Sequence, residues 1–403
     1  MRKTKIGAVL TAAVLVLSCA ACAPGGTKIA GNGTKMLPKW KMENFAAGSS
    51  PNALTPAQVR KAYDADGTFG TGKGKKIALV VAYGSPTLQG DLDAFDAAFG
   101  LKKPNLEIHD CGVQTQNSDW AVETSLDTEW AHVMAPDADL LVVEAASDNS
   151  EALLDAIDYA AASGAQAVSI SWGTAERPSL TMADSHFSGN TVYVAAAGDD
   201  GSGAIWPASS PNVVAVGGTT LKLDKNGNRL SEKAWRYSGG GPSLLEAAPS
   251  WQTEMGIESV TRSTPDVSFD AGTGVCVYYG GGTGTDHWYS VGGTSVGAPA
   301  WAGIVADLNE NADSIKNAGS LYVLAGTAGY QDPGGCFFDI TSGSNGWRAA
   351  AGYDEASGLG TPNCAELNRQ AAADAAALSQ VKNEQDSLPA SLQISVIYFR
   401  RGR

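Results

Sequence analysis

Histidine is scarce: only His109, His132, His186 and His287 occur in 403 residues. None stands in a His-Gly-x-His setting. The apolar run Ile77–Ala82 leads into Tyr83-Gly84-Ser85, not into an aspartate followed by Ser-Gly or Thr-Gly. A hydrolase that relies on imidazole as its base therefore lacks sequence support. Charge is sparse too, at 17% of residues, and biased to one sign, with a net charge of -14. An acidic surface argues against a nucleic-acid partner and against charge-driven adhesion to anionic lipid. No apolar run is long enough to span a bilayer comfortably; Ile6–Leu17 has the length of a signal-peptide core. Hydrophobic residues make up 43%, so a sizeable core is available and global disorder is excluded.

An export address is the first thing present. Arg2, Lys3 and Lys5 precede the apolar run, and the small residues Ser18 to Ala23 follow it. Cys19-Ala20-Ala21-Cys22 resembles a bacterial lipobox, with cysteine where leucine is usual. Two outcomes stay open: a lipid on Cys22, or release by cleavage after Ala23. The expected organisation is a signal peptide at 1–22 and a flexible tether at 23–50, rich in Gly, Lys, Ser and Asn. A catalytic domain at 51–370 and a C-terminal tail at 371–403 follow. The protein is expected outside the cell, or lipid-anchored to the outer face of its membrane, as a monomer. Beyond the signal lie Cys111, Cys276, Cys336 and Cys364, for which three pairings exist. Cys336–Cys364 is favoured because the two flank one short segment, leaving Cys111–Cys276; free buried thiols are the alternative.

Strand-like apolar runs recur at Ile77–Ala82, Leu140–Ala145, Ala167–Ser171, Val192–Ala197 and Val213–Val216. Helical segments intervene, such as Glu151–Ser163, which ends at Gly164. Continuous apolar strands alternating with helices imply a mostly parallel sheet covered on both faces. Sites in such sheets lie at the carboxyl ends of strands.

Three segments carry chemistry. In Gly292-Gly293-Thr294-Ser295-Val296-Gly297-Ala298-Pro299, a serine sits where a helical pattern begins. Free backbone N–H groups and the positive end of the helix dipole would favour an oxyanion there. Pro299 is expected to be tolerated as an early helix position. Ser295 acting only as a helix cap is the alternative. The second segment, Asp119–Ala135, reads as a helix stopped by Pro136. At ~100° per residue, with Glu123 as origin, Asp127 lies ~40° away and Leu126, Trp130 and Met134 fall on the same side. Glu129, at ~240°, falls outside that apolar stripe. Two carboxyls one turn apart on a buried face cannot both ionise cheaply, so they share a proton and can accept one from serine in acid. The third segment is Gly198-Asp199-Asp200-Gly201 at the end of Val192–Ala197. A protonated Asp199 there could donate to an oxyanion; a plain Asx-turn is the alternative.

Taken together these segments resemble the sedolisin family of serine-carboxyl peptidases, in its kumamolisin-like bacterial branch. The match spans roughly Leu54 to Asn363. It includes Thr55-Pro56-Ala57-Gln58-Val59-Arg60, Glu123-x-x-x-Asp127 and Trp130-Ala131-His132-Val133-Met134-Ala135-Pro136. It continues through Val168-Ser169-Ile170-Ser171-Trp172-Gly173, Gly198-Asp199, Trp206-Pro207-Ala208-Ser209-Ser210-Pro211 and Gly239-Gly240-Gly241-Pro242-Ser243. Pro265-Asp266-Val267-Ser268, the Ser295 motif and Gly358-Leu359-Gly360-Thr361-Pro362 complete it.

The resemblance implies an α/β, subtilisin-like fold: a mostly parallel twisted sheet with helices on both faces. It implies endopeptidase action on polypeptides at acidic pH, with Ser295 as nucleophile, Glu123 as base, Asp127 as its partner and Asp199 as oxyanion donor. Ser171-Trp172-Gly173 would bind the substrate backbone by strand addition. One structural Ca²⁺ is implied at Asp339, Ile340, Ala350, Gly352 and Asp354, where Ala350 replaces a family glycine. The family usually carries a long prodomain; here about thirty residues separate the signal segment from the catalytic unit, so either this branch folds without one or another mechanism restrains the enzyme. A catalytically silent, lipid-anchored binding protein on the same fold is the alternative reading.

Overall fold

The computed structural model describes residues 34–39, 41–44, 53–67, 69–282, 287–310, 313–328 and 335–387. The signal segment, most of the expected tether and the last residues, 388–403, lie outside the described residues. No described helix is long and apolar enough to cross a membrane.

The expected apolar runs form the centre of an eight-stranded sheet. Its order is Arg229–Ala234, Val213–Leu223, Val192–Ala196, Ala167–Ile170, Lys76–Ala82, Asp139–Ala145 and Leu106–Asp110, with Val267–Asp270 also paired to Val213–Leu223. All of these pairings are parallel except that of Arg229–Ala234. Every residue from Ile77 to Ala82 has zero exposure, so both faces of the sheet are covered, as a parallel sheet requires.

Two helices bring the chemistry to this sheet. Ser118–Met134 starts at Asn117, whose side chain accepts from the N–H groups of Asp119 and Trp120, and it stops before Pro136. Thr294–Leu308 packs against it and against the strands. The two helices touch closely at Gly303, where a Cβ would stand 2.8 Å from the Met134 Cβ. The Pro-Asp-Val-Ser segment has a structural task. Asp266 is fully buried, its carboxylate held by both Arg262 guanidinium nitrogens (2.7 and 2.5 Å), by the Tyr322 hydroxyl (2.8 Å) and by the Ala215 N–H (2.8 Å). A buried carboxylate paired this fully is tolerated, whereas a lone one would not be.

Several expectations need correction. Glu129 is not on a wet face; it has zero exposure, because Ser118–Met134 is buried all round from Trp120 to Met134. Its carboxylate accepts from the Tyr278 N–H at 3.1 and 3.3 Å. Pro299 lies beyond the first turn of its helix, so the Ser295 carbonyl loses its usual N–H partner. The Ser171 hydroxyl lies 3.4 Å from that carbonyl. Cys336, Cys364 and Cys276 are free thiols. Cys336 Sγ faces the Glu366 carbonyl (4.0 Å) and Cys276 Sγ the Ala53 carbonyl (3.9 Å), so neither expected bridge forms. Residues 34–44, placed in the tether, include paired strands at Leu37–Pro38 and Lys41–Asn44. The tail from 371 continues a helix, Cys364–Ser387.

The core holds several carboxyls besides those expected. Burial pushes Glu129 and Asp307 well above the ordinary carboxyl range, and Asp96 and Asp270 to about 7. The unfolded chain would release these protons near pH 4, whereas the folded chain keeps them to higher pH. The folded state therefore binds more protons between those limits, and its stability falls as pH rises through them. The melting temperature should be highest near pH 4 and drop steadily towards pH 8. Glu129→Gln should flatten part of that slope. A melting temperature that rises from pH 4 to pH 8 would contradict this.

Candidate active site

Ser295 is placed by the turn that starts its helix. Gly293 caps it at φ 117°, a backbone state that side chains rarely adopt. Thr294 and Ser295 follow as the first helical residues, and their N–H groups have no partner within the helix. Ser295 is fully buried, and its hydroxyl donates to the Ser171 carbonyl at 3.2 Å.

Glu123 and Asp127 project from Ser118–Met134 into the same place. Both have zero exposure. The Ser171 hydroxyl donates to Asp127 Oδ1 at 2.6 Å, which ties the pair to the serine side of the site. Glu123 sits well above the usual carboxyl range. Burial is the main cause; the charge of Asp127 adds to it, that of Asp199 adds less, and the nearby Ser295 hydroxyl pulls the other way. Asp127 is raised by burial, with the Ser171 hydroxyl opposing. Neither Glu123 oxygen accepts a bond from an N–H or hydroxyl donor in normal geometry, among the described residues. Two such groups side by side titrate as one unit and hold a shared proton.

Asp199 comes from the other direction, just past the strand Val192–Ala196. Its Oδ1 accepts from the Thr294 N–H (2.9 Å) and hydroxyl (2.8 Å). The Thr294 hydroxyl oxygen in turn accepts from the Gly198 N–H (3.1 Å). One threonine thus locks the strand-end turn to the residue before Ser295. Ser295, Asp127 and Asp199 thus all lie close enough to Glu123 to act on its carboxyl.

Ser171, Trp172 and Gly173 lie along one edge of this site. The Trp172 indole is buried and donates to the Val80 carbonyl at 2.8 Å, which fixes the strand. A Cβ at Gly173 would stand 2.8 Å from Ile205 and from the Trp206 carbonyl, so only glycine fits. His132 is committed elsewhere. Its Nε2 lies 2.9 Å from the Lys102 carbonyl and 3.4 Å from Asp96, and burial lowers its pKa to about 4.

The residues expected to hold calcium cluster on one loop. Asp339 Oδ2 accepts from the Gly352 N–H (3.0 Å), and Asp354 Oδ2 from the Ala350 N–H (2.7 Å). Asp339 Oδ1 is buried with no donor among the described residues. Ile340 is buried beside it. Ala350 is not among the described residues with positive φ, so alanine suits that position without strain. No group of three or more His, Cys, Asp or Glu side chains that could hold a metal occurs among the described residues. A site of two carboxylates completed by carbonyls remains chemically suited to Ca²⁺.

Sequence reasoning missed three features of the site. Ser171 acts through its hydroxyl as well as its backbone. Thr294 positions Asp199, although nothing but its place beside Ser295 could have suggested it. The third is Lys39, whose carbonyl accepts from the Ser295 N–H at 2.9 Å. It lay in a stretch whose composition reads as linker.

Comparison with known proteins agrees with this geometry. The model of the subtilase family matches residues 111–360. Sedolisin from Pseudomonas sp. (strain 101) is 28% identical over 81% of this chain and 62% of its own length. Kumamolisin from Bacillus sp. (strain MN-32) is 31% identical over 80% of this chain and 64% of its own. The chain thus spans under two thirds of the length of these relatives. The solved structure of Pseudomonas sedolisin, a serine-carboxyl proteinase complexed with pseudo-iodotyrostatin, superposes with a TM-score of 0.68 at 26% identity, covering 80% of this chain and 98% of that one. A subtilisin-like sheet, a serine at a helix start and a buried carboxyl pair in place of histidine lead to one conclusion: the chain belongs to the subtilase family, in its sedolisin branch.

Proposed function

We propose that this chain is an exported serine-carboxyl endopeptidase that hydrolyses peptide bonds in acid. The observation that carries the reading is the meeting of a helix-start serine with two buried carboxyls and no imidazole. Ser295 Oγ attacks the carbonyl carbon of the scissile bond, and Glu123 takes the hydroxyl proton. Asp127, held by the Ser171 hydroxyl, keeps Glu123 oriented and shares the pair's proton. The oxyanion that forms is met by the Ser295 N–H and by Asp199 in its protonated form. Glu123 then gives its proton to the departing amine. Water, activated by the same carboxyl, releases the acyl group and restores Ser295.

Acid suits each part. The pair must hold one proton between two groups, and Asp199 must keep its own. Raising the pH strips these protons, so activity should fall on the alkaline side. Asp339 and Asp354, with the carbonyls of Ile340, Ala350 and Gly352, would hold one Ca²⁺, which supplies positive charge that braces this loop. The export signal supports an extracellular site of action, freely or from a lipid on Cys22.

Hydrolysis of a denatured protein should peak at roughly pH 3–5. Ser295→Ala should lose roughly 10⁴-fold or more, and Glu123→Ala on the order of 10²–10⁴-fold. Activity that peaks near neutrality, or that survives the loss of Ser295, would overturn the assignment.

Calcium is tested separately. A chelator should lower the melting temperature of the wild type, and Asp339→Asn should be lowered already and respond no further. Equal melting curves with and without chelator would reject the metal site.

A further inference from the structure

Beside the catalytic residues lies a cavity that they do not use. It holds about 980 Å³ and is framed by the antiparallel pair Val213–Leu223 and Arg229–Ala234, by Trp235 and Tyr237, and by Ser290 and Gly292. Gly292 stands three residues before Ser295. The same wall supports the site. The Tyr237 carbonyl accepts from the Gly201 N–H at 2.9 Å, in the turn that carries Asp199. The Trp235 ring and Thr294 Cγ2 crowd one side of Gly218, where a Cβ would stand 2.9 and 3.4 Å from them.

The cavity is basic in an acidic protein. Lys222, Lys225 and Lys233 line it, whereas the whole chain has a net charge of -14. Lys222 stands opposite Ser231, and Lys233 opposite Thr220, so Lys222 and Lys233 share one face of the pair. All three lysines are exposed, and none is ion-paired among the described residues. Arg236 adds a fourth positive charge just beyond, its guanidinium 4.3 Å above the Tyr237 ring.

The nearby acids do not neutralise this wall. Asp224 lines the cavity too, but it is committed to its own turn. It accepts from the Asn226 and Asn228 N–H groups at 2.8 and 2.9 Å and from the Asn228 amide at 3.0 Å. Glu232 lies on the other face of the pair, 2.8 Å from Arg229. Asp270, behind the wall, is buried and raised to about 7, so it is uncharged in acid. Like charges left unpaired on neighbouring strands repel. A ligand of opposite sign relieves that repulsion.

The chain itself marks the route from Ser295 to this cavity. The Lys39 carbonyl accepts from the Ser295 N–H, and two residues later Lys41–Asn44 runs antiparallel along Trp288–Gly292. Lys41 is opposite Gly292, and Glu43 is opposite Ser290. A substrate on that route, with its scissile carbonyl at the Ser295 N–H, sets its second residue after the scissile bond opposite Gly292 and its fourth opposite Ser290. Those two positions alternate onto one face of their strand, and both line the cavity.

We propose that this cavity receives the side chains of the second and fourth residues after the scissile bond, and that Lys222 and Lys233 make it select acidic ones. Such selection rests on the peptidase reading above. It carries a pH signature of its own. An ordinary glutamate releases its proton near pH 4, inside the range proposed for catalysis, whereas lysine stays charged throughout. Selection is therefore weak at about pH 3 and grows towards about pH 5. Titration of Glu123, Asp127 and Asp199 acts on every substrate alike, so it cancels in a ratio between two peptides.

The test compares two peptides that differ only at the second and fourth residues after the bond cut, Glu in one and Gln in the other, with the cut located by product mass. Wild type should show kcat/KM about three- to tenfold higher for the Glu peptide at about pH 5, since each exposed lysine contributes a modest factor. The ratio should fall towards one at about pH 3, and at about pH 5 in roughly 1 M salt. Lys222→Gln combined with Lys233→Gln should bring it close to one at every pH, and Lys222→Glu combined with Lys233→Glu should invert it at about pH 5. Equal kcat/KM for the two peptides in wild type at about pH 5 would overturn this inference and leave the peptidase reading standing. So would a preference already complete at about pH 3, or one that the double Gln variant leaves unchanged. A wild type that cuts neither peptide nor a denatured protein would overturn the peptidase reading, and this selection with it.

Discussion

Glu123 and Asp127 stand one helical turn apart with no access to solvent, and the site is arranged around the impossibility of charging both. In water, two carboxyls at that spacing would ionise separately. Inside, burial raises both, and the negative charge of one raises the other further. The stable arrangement keeps a proton between them. That proton explains the small supporting cast. Ser171 donates to Asp127, which fixes how the shared proton is oriented. Thr294 donates twice to Asp199, which sets a third carboxyl near the first two without adding a counter-charge. No lysine or arginine forms an ion pair with Glu123 or Asp127 among the described residues; one would discharge the pair and remove the reason for it.

The same constraint reaches the fold. A helix that carries two acids into the interior must be covered on every side, and Ser118–Met134 is. Its neighbour Thr294–Leu308 has its own apolar surroundings, with every residue from Thr294 to Leu308 buried. The close contact at Gly303 keeps the two helices in fixed relation. Seen this way, buried Glu129 and Asp307 are less anomalous. Where carboxyls are protonated such groups stay inside at little penalty, because the neutral form is the one present.

Much of this was legible in the sequence, for reasons that can be named. Continuous apolar runs such as Ile77–Ala82 have one physical explanation, a strand covered on both faces. The spacing of Glu123 and Asp127 against Leu126, Trp130 and Met134 reports a helix face directly. Glu129 was misjudged because a helical wheel assumes one wet face, and this helix has none. Pro299 was misplaced by less than a turn, since helix starts are uncertain to that degree. The cysteines were read from spacing, but a bridge needs side chains that point at each other; Cys336 points to a backbone carbonyl. Residues 34–44 were illegible because their order is borrowed: a short Lys-rich stretch inside a segment that reads as linker takes its strand form from the edges it joins.

That borrowed order bears on how the site holds its proton. Ser295 has zero exposure with Lys39 lying across it. Burial is the largest cause of the raised affinity of Glu123, and burial depends on what fills the cleft. An occupied cleft keeps water from the carboxyl pair; an emptied one admits it and lets the pair move towards the affinity of exposed acids. A polypeptide entering along Ser171-Trp172-Gly173 would exclude that water again and place a carbonyl at the same N–H. The base is then tuned by the substrate it serves, because the peptide that supplies the carbonyl also supplies the cover under which two acids share one proton.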